Sequence, residues 1–104
     1  MAQPIMMRAK LDNGIADVKI LMHHPMDTGL MKDPATHQLI PAHFINQVTA
    51  SLNGKPVMEA QWGIGISKNP FLELKLTGAK AGDTISVSAV DNLGTQFAGQ
   101  TTLS

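Results

Sequence analysis

Cysteine is missing from the chain altogether. A disulfide framework, a thiolate metal site and a covalent intermediate held on a thiol are therefore excluded for these residues. Charge is scarce as well: 15% of residues are charged, and eight basic side chains balance eight acidic ones to a formal net charge of zero. Such a chain has no basic footprint for nucleic acid or an anionic membrane, and little electrostatic protection against association, which suits a protein with a permanent partner. No apolar run is long enough to span a bilayer, so no membrane insertion is expected. Met1 to Lys10 lacks the basic start and apolar stretch of a secretory signal. No window of helical length sustains a 3.6-residue period, and Gly63-x-Gly65 lacks the rest of either nucleotide fingerprint.

Two-residue alternation is what the sequence does contain. Ile5 to Leu11 places Met7, Ala9 and Leu11 on one side and Arg8 and Lys10 on the other. Asn13-Gly14 can take the positive φ of a tight hairpin, after which Ala16, Val18, Ile20 and Met22 share a face. Phe44 to Leu52 predicts a third strand with Phe44, Val48, Ala50 and Leu52 on one parity, and Asn53-Gly54 is the strongest hairpin signal in the chain. Lys55 to Trp62 returns from it, with Trp62 read as a core anchor or, alternatively, as an interface residue. Gly63 to Pro70 reads as an irregular crossing. Phe71 to Thr77 alternates Leu72, Leu74 and Leu76 against Glu73 and Lys75; Thr84 to Val90 alternates Ile85, Val87 and Ala89 against Ser86 and Ser88; Asp91-Asn92-Leu93-Gly94 then turns into a last strand through Phe97. This predicts a single domain, 1–104, that is all-β: an antiparallel immunoglobulin-like β-sandwich of about seven strands. One long irregular connection, Asp27 to His43, interrupts the pattern and holds Gly29, Pro34 and Pro41.

That connection leaves from the stretch Met22-His23-His24-Pro25-Met26-Asp27-Thr28-Gly29, where Pro25 removes a backbone donor and ends the preceding strand. His24-Pro25-Met26-Asp27-Thr28-Gly29, then Leu39-Ile40-Pro41-Ala42-His43-Phe44-Ile45, Asn53-Gly54, Asn69-Pro70-Phe71-Leu72 and Asp91-Asn92-Leu93-Gly94, in this order, resemble the SoxZ family. The resemblance covers nearly the whole chain. It implies a non-catalytic β-sandwich subunit of a SoxYZ-type sulfur-carrier complex in thiosulfate or sulfur oxidation. In such a complex the chain binds and braces a SoxY-like partner as a heterodimer, the partner's C-terminal cysteine carries the sulfur intermediate, and other Sox enzymes dock transiently. It also implies periplasmic residence by co-export with a signal-bearing partner. The lack of cysteine suits that division of labour, since a second thiol would risk exchange with a carried persulfide.

The same stretch supports other readings of its residues. Thioethers and imidazoles are good Cu(I) ligands, so His23, His24 and Met26 define an alternative, a periplasmic Met/His copper-binding module. Against it, adjacent His23 and His24 face opposite ways on an extended strand, and the expectation is no cofactor. His24 and Asp27 with Thr28 or Ser67 contain the residue types of a hydrolytic triad, but Asp27-Thr28-Gly29 is better read as a turn, and no catalytic residue is expected. Methionine packs well on a mobile partner, so His24, Met26, Asp27 and Phe44 are the expected partner-binding residues.

Overall fold

A computed structural model describes residues 3 to 103, so Met1, Ala2 and Ser104, which the single-domain expectation includes, lie outside the described residues. The strands are β1 (Gln3–Pro4), β2 (Met6–Asp12), β3 (Ile15–Leu21), β4 (Ile45–Leu52), β5 (Lys55–Gln61), β6 (Phe71–Thr77), β7 (Thr84–Asp91) and β8 (Gln96–Thr102). Seven of them lie where the sequence predicts strands; the two-residue β1 is additional, and the last strand runs to Thr102. They form a five-stranded sheet in the order β1-β8-β7-β4-β5 and a three-stranded sheet in the order β2-β3-β6. All pairings are antiparallel except β1 with β8, which is parallel.

Alternation places the core between the sheets. Ala16, Val18, Ile20 and Met22 of β3 and its extension are fully buried, and so are Val48, Ala50 and Ile85 from the opposite sheet. Trp62 is partly buried and packs against this core, with Leu72, Leu74 and Leu76 of β6. The hairpin turns form as Asn-Gly chemistry dictates, with φ of 52° and 75° at Asn13 and Gly14 and 52° and 83° at Asn53 and Gly54.

One predicted parity fails. The register of β4 on β7 shifts between Ile45 and Gln47, so two residues oppose one and the faces exchange. Ile45 becomes the fully buried residue, and Phe44 is left partly buried. A second close fit shapes the chain start: Ile5 N donates to Ala98 O at 2.9 Å as the chain passes from β1 in one sheet to β2 in the other. A Cβ on Gly99 would lie 2.7 Å from Ile5 O, so this crossing depends on a residue without one.

The connection 27–43 is more ordered than its composition predicts. It folds back on itself through bridges Asp27↔His43 and Lys32↔Leu39, with Ile40 N donating to Met31 O at 2.7 Å. At its tip Asp33 Oδ1 accepts from Ala35 N at 2.7 Å, an Asx turn that Pro34 follows naturally. The connection is thus a short two-armed projection.

Candidate functional site

The root of this projection holds a buried polar cluster. The inward parity of β3 continues past Met22 to His24, 3% exposed, and that of β7 runs through Ile85, Val87 and Ala89 to Asp91, 2% exposed. Both faces therefore end on a polar side chain, which a core accepts only if its hydrogen bonds are made. They are made to each other: His24 Nε2 donates to Asp91 Oδ2 at 3.2 Å, and His43 Nε2 donates to the same oxygen at 2.8 Å. Asp91 Oδ1 accepts from the amides of Leu93 at 3.0 Å and Thr95 at 2.9 Å. Burial is the largest single influence on this carboxyl and pushes its pKa up. The bonds from His24, Thr95, His43 and Leu93 together outweigh it and hold the group below the usual carboxylate range.

The tautomer of His24 follows from its other nitrogen. Met26 N donates to Nδ1 at 3.0 Å, and an amide can only donate, so the proton of the neutral ring sits on Nε2. His43 crosses this ring edge to face at 4.4 Å between centroids, and Phe97 does so at 5.5 Å. Backbone contacts close the cluster: Asn69 Oδ1 accepts from His24 N at 3.0 Å, and Asn92 accepts from Phe44 N and donates to Ala42 O, each at 2.8 Å.

The ligand atoms of His24, His43 and Asp91 lie within 4.8 Å of one another. A metal on His24 Nε2 would, however, displace its proton while Nδ1 still faces an amide N–H, so the ring would have to become imidazolate or break that bond. The donor set fits a proton-filled hydrogen-bond cluster and does not fit an ion.

The residues singled out in the sequence are divided by this arrangement. His23 is exposed, its Nε2 donating to Met6 Sδ at 3.3 Å, while His24 is buried, and Met26 Sδ accepts from Ile45 N at 3.3 Å. Of the three alternative copper ligands, His24 and Met26 are thus engaged in the buried cluster and its surroundings, and His23 lies on the surface. Of the triad types, His24 takes Asp91 and not Asp27 as its acid, Asp27 pairs by backbone with His43, Thr28 Oγ1 accepts from Leu30 N, and Ser67 is exposed. Among the expected partner-binding residues, His24 and Met26 are buried and so hold the projection from beneath, because the core claims their parity. Asp27 and Phe44 are partly buried at its root. What the sequence reading missed was the pairing of His43 and Asp91 with His24; the signal available was a polar residue at the end of each inward parity.

On the projection itself the apolar side chains are uncovered: Leu30, Met31 and Leu39 are 74%, 62% and 60% exposed. No curated protein matches the chain. The profile of the sulphur oxidation protein SoxZ matches residues 5–102, and the chain belongs to the SoxZ family.

Proposed function

We propose that this chain is the non-catalytic subunit of a periplasmic SoxYZ-type carrier, forming a heterodimer with a SoxY-like chain whose C-terminal cysteine holds the sulfur intermediate. The family assigns a role in sulfur oxidation and implies a Sox complex partner. The chain has no thiol. A covalently carried sulfur atom therefore needs a second chain to bear it, and other Sox enzymes to load and oxidise it.

The observation that carries this reading is the exposed apolar set Leu30, Met31 and Leu39 on a projection whose base is fixed by buried hydrogen bonds. Uncovered large apolar side chains on a pre-formed element favour burial against a partner, and rigidity lowers the entropic cost of doing so. The test is size-exclusion chromatography with light scattering of this chain mixed with the SoxY-like protein of its own organism. A one-to-one complex is expected. Leu39→Glu should weaken that complex about tenfold or more while shifting unfolding stability by less than ~0.5 kcal/mol. Separate elution of the two wild-type chains would overturn the proposal.

A further inference from the structure

A sheet edge usually carries something that prevents pairing. β1 is two residues long and contains Pro4; β5 contains Pro56 and a register shift at Ala50/Ser51; β2 is tied at its start to the other sheet through Ile5 and Ala98. β6 has none of these devices. Its seven residues pair with β3 in unbroken register, they include no proline, and among the described residues nothing lies on the other side. Leu72, Leu74 and Leu76 are left only partly buried, and Phe71 is 61% exposed.

The sequence of this edge identifies its occupant. Met22 N donates to Pro70 O, so in the antiparallel ladder the even-numbered residues of β6 bond to β3, and the N–H and C=O of Phe71, Glu73, Lys75 and Thr77 face outward. If a second β6 runs antiparallel about a two-fold axis at Leu74, these outward residues meet one another: Glu73 opposite Lys75 of the second copy, and Phe71 opposite Thr77. Each such pair can exchange both backbone bonds. The inner face then sets Leu72 opposite Leu76 and Leu74 opposite Leu74. A two-residue slip either way places Glu73 on Glu73 or Lys75 on Lys75, and a one-residue slip turns the leucines to solvent. One register therefore satisfies backbone, charge and apolar face together.

The geometry points to β6 as a self-pairing edge, through which two copies of this chain join their three-stranded sheets into one. The acid pair on the outer face fits this role. Among the described residues Asp17 Oδ1 is buried without a hydrogen-bond partner, and hydrogen bonding to the Asp17 carboxyl, followed by its charge, holds the Glu73 carboxyl above its ordinary range. Within the chain Lys75 is already the register partner of Asp17 and Lys19 that of Glu73, and Lys75 of the second copy adds a further ammonium donor opposite Glu73.

Analytical ultracentrifugation of the full chain alone tests this, independently of any SoxY-like partner. An edge contact of this size is expected to be weak, with a Kd on the order of 10–100 µM. Glu73→Lys and Lys75→Glu should each raise that Kd about tenfold or more, because the two-fold axis makes every reversal act twice. The double variant, and an equimolar mixture of the two single variants, should return to the wild-type value. Circular dichroism of each variant confirms that the exposed replacements leave the fold intact. A wild-type chain that stays monomeric at several hundred micromolar would overturn the inference, as would dimerisation indifferent to the reversals or unrestored by the double variant.

Discussion

Asp91 accepts hydrogen bonds from His24, His43, Leu93 and Thr95 through its two oxygens, so four bonds of the cluster depend on one carboxylate. Asp91→Ala leaves the buried His24 N–H, the partly buried His43 N–H and two amides without an acceptor. The loss should be roughly 3 kcal/mol of unfolding free energy, read from urea denaturation. Its pH dependence has a definite sign. Asp91 is held below its ordinary value of 3.8, so its charged form contributes stability that is complete above that value and disappears as pH falls through the lower folded one. Wild-type stability should therefore decline on its acid limb below about pH 4, and Asp91→Asn should flatten that limb. The flattening is partial. Asp83, held down by Asn53 and the Lys80 amide, titrates in the same direction. At this scale the sequence was readable only in halves. His24, His43 and Asp91 all stood within recognisable blocks, but residues 67 and 48 positions apart are joined by tertiary packing, which no local pattern records.

At the scale of elements, alternation carried most of the fold because each long strand has one dry face and one wet one. It failed where the chain departs from strict alternation. The bulge at Ile45 to Gln47 exchanged the faces of Phe44 and Ile45, and the two bridges in 27–43 were hidden by proline, glycine and short polar residues. The crossing at Ile5 was likewise unreadable, since nothing in Gln3-Pro4-Ile5 announces that its neighbour is Gly99. That contact makes a direct prediction. Gly99→Ala places a Cβ 2.7 Å from a backbone oxygen and 3.0 Å from Met7 Sδ, and should cost about 1–3 kcal/mol. Gly63→Ala, with nothing within 4 Å of its Cβ, is the control expected to change little in the same thermal or urea denaturation.

For the whole molecule, the principal dimensions are 53 × 23 × 19 Å, and the radius of gyration of 15.7 Å exceeds the ~13 Å of a compact chain of this length. An elongated shape exposes two separate surfaces to other chains, the 27–43 projection and the β6 edge. The charge-reversal series addresses the second alone, and Leu39→Glu the first. The projection is fastened at its root, where the Asp27↔His43 bridge lies against the His24, His43 and Asp91 cluster, and its tip bears no part of the core. Closure is already secured below, so lengthening the segment between Lys32 and Leu39 adds only a slowly growing entropic term, about 0.6 kcal/mol per doubling. The tip is accordingly an exchangeable cassette, whose residues can drift toward a new binding specificity while the sandwich beneath stays as it is.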